Sequence, residues 1–162
     1  MDSKHMDQAA LSAAMELFYT FVMESYDNYT MTHDYGTGKK INMVEIHTLS
    51  LIADHPGITV SETAQMWRRT LSAASQNVNK LQQKGLITKQ KEAGNDKTIH
   101  LYVTEEGQRL SDLHKENDQR EFQKTYDRLR SENSDEDLNT MLRIMRLALQ
   151  IVREANERKR LG

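Results

Sequence analysis

The sequence contains no cysteine and one proline in 162 residues. The first absence excludes disulfide frameworks, thiolate zinc clusters and cysteine-based redox sensing. The second leaves long stretches free to be helical, because proline is the residue that breaks a helix. No run of about 18 apolar residues occurs, so no membrane-spanning helix and no membrane partner are expected. Residues Met1 to Gln8 carry charges where a signal peptide needs an apolar stretch, and a cytoplasmic location is expected. Catalytic signatures are missing too. There is no phosphate loop, no G-x-S-x-G and no H-E-x-x-H, and Gly36 and Gly38 lack the rest of a nucleotide fingerprint. Neither enzymatic activity nor a cofactor is expected.

What is present is 37% hydrophobic and 28% charged residues, the balance of a soluble protein with a heavily charged surface. The length suits one compact domain with an added assembly region. The net charge of −2 is unevenly spread. Residues 58 to 100 hold Arg68, Arg69, Lys80, Lys84, Lys89, Lys91 and Lys97 against Glu62, Glu92 and Asp96, which makes that segment +4 and the remainder −6. A basic segment in an acidic chain points to a nucleic-acid partner.

Periodicity orders the elements. Leu11, Met15, Phe18, Val22, Tyr26 and Tyr29 recur at three- and four-residue steps, and Ala14, Leu17 and Phe21 widen the stripe, so a helix over about 8–29 should bury more than one face. Residues 30–41 read as loop. Asn42 with Glu45 then caps a helix whose apolar stripe is Met43, Ile46, Leu49, Ile52 and Ala53, with Glu45 and Thr48 on its polar side and a stop at His55-Pro56-Gly57. Thr59 and Glu62 form a capping box for a short helix to about Trp67, which should pack inward. Thr70 caps a further helix to Lys84, ended by Gly85. Two strands follow, over 86–90 and 98–103, around a turn at Ala93-Gly94-Asn95-Asp96. Thr104 opens a helix over about 105–130. Ser134 with Asp137 opens a last helix, apolar almost all round between 138 and 152.

Two short helices at a tight turn, followed by a hairpin and carrying positive charge, make a winged helix-turn-helix. The expected fold is therefore mainly α with a small β-hairpin wing, a winged helix-turn-helix domain plus a helical dimerisation region. Residues 1–33 and 105–162 are assigned to dimerisation and 40–104 to DNA binding. In the helix after Thr70 the expected inward set is Leu71, Ala74, Val78 and Leu81. The outward set is Thr70, Ser72, Ala73, Ser75, Gln76, Asn79 and Lys80, mostly short donors and acceptors suited to a groove about 12 Å wide. Gln76 is placed for a two-bond contact with adenine. Arg68, Arg69, Lys89, Lys91, Asn95 and Lys97 complete the expected interface, with double-stranded DNA as partner.

The runs Ile58 to Ala64, Thr70 to Lys80, Leu81-Gln-Gln-Lys-Gly-Leu-Ile87 and Asn95 to Gly107 resemble the DNA-binding domain of the MarR family. The last of them is similar to that family's wing signature, D-x-R followed by L-T-x-x-G. Asn95 stands where the family has aspartate and Lys97 where it has the wing arginine, which exchanges a planar fork for a point charge. The pieces Val44 to Thr48, Thr70-Leu71 and Leu113 to Lys115 are similar to those of members that repress fatty-acid synthesis genes. The resemblance implies a homodimer formed by the first and last two helices, a pseudo-palindromic operator with half-sites roughly 34–36 Å apart, and repression relieved by a small effector.

Met15, Phe18, Tyr19, Val22, Met23, Tyr26 and His47 are the candidate lining of an effector pocket, with ordinary core packing as the alternative. A further alternative is a metal site of Glu24, His47, His114 and Asp118. His114 and Asp118 stand one helical turn apart, and zinc-responsive relatives draw ligands from the corresponding helices, by resemblance. A winged helix used for protein binding, with the basic patch meeting an acidic partner, is the other competing reading.

Overall fold

The structure is a computed structural model that describes residues 7–92 and 95–161, with Glu92, Asn95, Asp96, Lys97, Arg160 and Leu161 described by their backbone only. The expected Ala93-Gly94 turn and the charged start before Asp7 lie outside the described residues. The order is α1 (Gln8–Thr30), β1 (Thr32–His33), β2 (Ile41–Asn42), α2 (Met43–Asp54), α3 (Val60–Met66), α4 (Leu71–Gln83), β3 (Ile87–Glu92), β4 (Asn95–Val103), α5 (Glu105–Glu132) and α6 (Asp135–Leu161). No helix among the described residues is long and apolar enough to cross a membrane. The described chain divides within α5 into two compact units, one through Lys115 and one from Glu116.

The helix starts stand where the capping residues put them. Asn42 Oδ1 accepts from the Glu45 N–H at 2.9 Å while Glu45 Oε2 accepts from the Asn42 N–H at 3.1 Å. Thr59 and Glu62 exchange the same pair of bonds. Each box satisfies two of the amides that a helix start leaves without partners. Thr70 Oγ1 accepts from the Ala73 N–H at 3.2 Å. The antiparallel β3–β4 hairpin keeps register from Ile87 with Val103 to Lys91 with Ile99, then shifts at Lys91/Glu92. It is longer than the pattern predicts, because a strand whose outer face is polar shows little alternation toward its tip.

The core of the first unit is built from Ile46, Leu49 and Ile52 of α2, Val78 and Leu81 of α4, Leu86, Ile87 and Leu101 around the hairpin, and Leu110 of α5. One close approach sets the seat of α5. A Cβ placed on Gly107 would lie 2.0 Å from the Leu86 carbonyl oxygen, so only glycine lets the start of α5 lie on that backbone. Thr104 completes the joint: its hydroxyl donates to the Gly85 carbonyl at 2.9 Å and accepts from the Gly107 N–H at 3.1 Å.

Five expectations are corrected. Residues 30–41 are not loop throughout, since Thr32–His33 pairs with Ile41–Asn42; two-residue strands are too short to show alternation. Glu45 and Thr48 are buried rather than on an open face, because α2 is surrounded and its polar side also meets protein. Leu71 is 57% exposed, heading α4 almost a full turn before its first buried residue, Ala74. Ser75, expected outward, is half-buried. Trp67 caps the C-terminus of α3 and stays 42% exposed.

Within the single chain α1 buries none of its residues, and Leu17, Phe18, Tyr19 and Phe21 are each at least half exposed. In the second unit, α6 likewise leaves Ile144, Leu147 and Ile151 more than half exposed. Its start is a reciprocal pair in which the Ser134 N–H donates to Asp137 Oδ2 at 3.1 Å and the Asp137 N–H donates to Ser134 Oγ at 3.2 Å.

Candidate nucleic-acid interface and neighbouring cleft

The tight turn from α3 to α4 is closed by backbone. The Arg68 N–H donates to the Gln65 carbonyl at 3.1 Å and the Arg69 N–H to the Ala64 carbonyl at 2.9 Å. Arg68 adopts φ 49°, the left-handed region that costs a side-chain-bearing residue roughly 1–2 kcal/mol. Beyond the turn, α4 buries Ala74, Val78 and Leu81 and leaves Ser72, Ala73, Gln76, Asn79 and Lys80 exposed with Thr70 at its head. Arg68, Arg69 and Lys91 are exposed too, and Lys89 is half-buried. Lys89 Nζ donates to Asn79 Oδ1 at 2.6 Å, so the wing strand β3 is tied to the face of α4. The side chains of Asn95 and Lys97 lie outside the described residues.

One of the basic residues counted in this segment points elsewhere. Lys84, at the C-cap of α4, donates to Glu45 Oε2 at 2.6 Å and to the Lys40 carbonyl at 2.8 Å. Its charge is answered inside the fold. Lys39 makes the matching tie, to Glu106 at 2.7 Å and to the Lys84 carbonyl at 2.8 Å.

Behind α4 is a cleft of about 460 Å³ lined by Tyr26 and Tyr29 of α1, Val44 and His47 of α2, Trp67, and by Ala73 and Gln76 of α4 among others. That volume falls in the range of roughly 300–1,000 Å³ typical of small-ligand sites. His47 is its hub. The Tyr29 ring stacks at 6.3 Å, the Trp67 ring lies at 6.1 Å, and the His114 ring meets it edge-on at 4.9 Å. His114 is 2% exposed, and its Nδ1 is 3.1 Å from the Tyr35 hydroxyl. Of the expected pocket residues, Tyr26 and His47 line this cleft. Met15, Phe18, Tyr19, Val22 and Met23 stand exposed earlier on α1. Tyr29, Tyr35 and Trp67 were missed as neighbours of the histidines. Tyr29 falls on the apolar stripe of α1, and Tyr35 sits in a stretch without periodic signal.

A ring nitrogen of His47 and one of His114 lie within 4.8 Å of each other, and Asp118 follows His114 by one turn of α5. Glu24, the fourth residue expected there, is exposed on α1 and is not part of this group. Away from these groups, the Glu62 carboxyl is held below the usual carboxylate range by the Thr59 N–H, then by the Thr59 hydroxyl. Asp137 is lowered in the same way by the Ser134 hydroxyl and N–H.

A helix-turn-helix with an exposed polar second helix and a hairpin beside it defines the winged helix-turn-helix fold. Residues 40–97 match the profile of the MarR family. The uncharacterized HTH-type transcriptional regulator YhjH of Bacillus subtilis (strain 168) is 29% identical over 82 residues, which are 51% of this chain and 47% of the relative. The chain thus matches about half the length of that curated relative. In fold it is similar to the zinc-responsive MarR family member ZitR of Lactococcus lactis, with TM-score 0.70 and 17% identity over 88% of this chain and 99% of that one. It is also similar to Streptococcus pneumoniae FabT in complex with DNA, with TM-score 0.63 and 22% identity over 91% and 97%. The segment 40–97 is thus similar to the MarR family, and the chain shares the fold of the two solved proteins.

Proposed function

We propose that this chain is a sequence-specific DNA-binding repressor that works as a homodimer and leaves a pseudo-palindromic operator when a small molecule occupies the cleft around His47. The observation that carries the reading is the split of α4 into a buried face and an exposed face of Ser72, Gln76, Asn79 and Lys80, with Lys89 tied alongside. Gln76 is the residue whose amide can make two bonds to adenine, a pair worth about 1–3 kcal/mol of discrimination. Arg68, Arg69, Lys80 and Lys91 supply phosphate contacts, and Asn95 and Lys97 are assigned to the wing tip. Residues 1–33 and 105–162 serve as the dimerisation regions and 40–104 as the reading domain. The exposed apolar faces of α1 and α6 are larger than a monomer keeps in water.

The cleft supports ligand control because α4 contributes to its wall, so a bound molecule would touch the reading helix itself. A coupling of about 1–3 kcal/mol would change DNA affinity roughly 5- to 150-fold. The test is fluorescence anisotropy on selected operator and on random duplex at several salt concentrations, with wild type and Gln76→Ala. Affinity should fall steeply with salt, and the variant should lose operator preference more than nonspecific affinity. Equal losses on both duplexes would remove the role of Gln76. Monomeric protein that still binds operator would remove the dimer.

A second reading, control by zinc, has one observation of its own: the His47–His114 pair with Asp118 a turn further on. Two imidazoles and a carboxylate are a donor set that suits zinc. A Tyr35 oxygen accepting from His114 Nδ1–H would fix the tautomer in which Nε2 carries the lone pair, the usual orienting arrangement for such a ligand. These residues would hold the ion, which would supply a fixed positive charge joining α2 to α5. Calorimetric zinc titration of wild type and His114→Ala decides it, and absence of heat with wild type ends the reading.

A further inference from the structure

Leu71 is the one large apolar side chain left exposed on α4, at its N-terminal end. It is 57% exposed, directly after the capping Thr70, at the end of the helix that a helix-turn-helix brings to base edges. It opens onto a shallow groove of about 410 Å³ between α4 and the wing, which it shares with Val60 of α3, Ser75 of α4, and Thr98 and Ile99 of β4. A leucine there offers no donor or acceptor, so it can read only an apolar feature. The major-groove edges of the four base pairs carry one such feature, the thymine C5 methyl. The exposed α4 face has no arginine to fork onto guanine, which leaves more of the discrimination to contacts of this kind.

We infer that Leu71 contacts a thymine methyl in each operator half-site and so sets a thymine preference beside the position read by Gln76. This inference rests on the DNA-binding reading above. Removing one buried methyl weakens an apolar contact about four-fold.

The experiment first selects operators with the full-length wild-type protein. Each thymine is then replaced singly by deoxyuridine, which deletes the methyl and keeps every hydrogen-bonding group. One symmetry-related position should lose about four-fold per half-site. Leu71→Ala, checked for an unchanged melting temperature, should bind the unmodified operator with that reduced affinity and should no longer respond to deoxyuridine there. Leu71→Met, which keeps an apolar side chain, should retain the response. If wild type tolerates deoxyuridine at every thymine, or if Leu71→Ala keeps the full response, the assignment is overturned while DNA reading stands. If wild type binds no duplex at low salt, the DNA-binding reading falls and Leu71 falls with it.

Discussion

Lys84 at the end of α4 donates to the buried carboxylate of Glu45 at the start of α2, 2.6 Å away, so α4 is held at its C-terminal end by an ion pair inside the fold. Glu45 Oε2 also accepts from the Asn42 N–H, which joins this pair to the cap of α2. Leaving a buried charge without its partner costs about 3–5 kcal/mol when both groups are enclosed. The Lys84 side chain is 30% exposed and Glu45 5%, so Lys84→Met should cost less, about 2–3 kcal/mol. Adding Glu45→Gln should restore more than half of the loss, because no carboxylate is then stranded. Urea unfolding of the two single variants and the double variant measures this, and strictly additive losses would show that the pair does not act as a unit.

Gly107 gives the sharpest steric prediction. Its missing Cβ makes room for the Leu86 carbonyl, and the atoms an added Cβ would meet first are backbone rather than the free end of a side chain. Gly107→Ala should destabilise by about 1–3 kcal/mol or more, the usual range for overpacking, despite alanine's higher helix propensity. A melting temperature equal to or above wild type would show that α5 sits farther from Leu86.

Arg68 separates stability from binding. Arg68→Gly relieves the positive-φ cost but gives the unfolded chain more freedom, so the two effects nearly offset and stability should change by less than about 1 kcal/mol. If Arg68 meets a phosphate, the plot of log affinity against log salt should lose about one unit of slope. Arg68→Ala should lose the same slope and in addition retain the backbone strain. Thermal melts with salt-dependent anisotropy check both halves.

The capping box at Thr59 and Glu62 predicts an acid response. The Glu62 pKa is lowered in the fold by the Thr59 N–H and hydroxyl, so the carboxylate binds protons less readily folded than unfolded. Its contribution is therefore complete above the ordinary carboxylate value of 4.5 and is lost as pH falls through the lowered one. Glu62→Gln should flatten that part of the profile: the gap in melting temperature from wild type should be largest near neutral pH and shrink toward pH of about 3. A gap independent of pH would remove the charge from the explanation.

How much was legible in the residue order depends on the range of the interaction. Asn42 with Glu45, Thr59 with Glu62, Thr70 ahead of Ala73 and Ser134 with Asp137 all act over three residues, and each helix start stands where those pairs put it. The inner face of α4 follows from a period of 3.6, which Ala74, Val78 and Leu81 obey. The hairpin and the charge asymmetry are local in the same sense, and the proposal of DNA binding starts from them.

The rest needed neighbours far apart along the chain. Glu45 looks solvent-facing on its own helix and is buried because Lys84, 39 residues later, closes over it. Leu71 looks like a core residue and is exposed because the core beneath α4 begins only at Ala74. The rings of Tyr29, Trp67 and His114 gather around His47 although no spacing links them. A short-range pattern determines which residues form a helix and which of its faces is apolar, whereas packing between elements decides which polar groups are enclosed and which apolar ones are left outside.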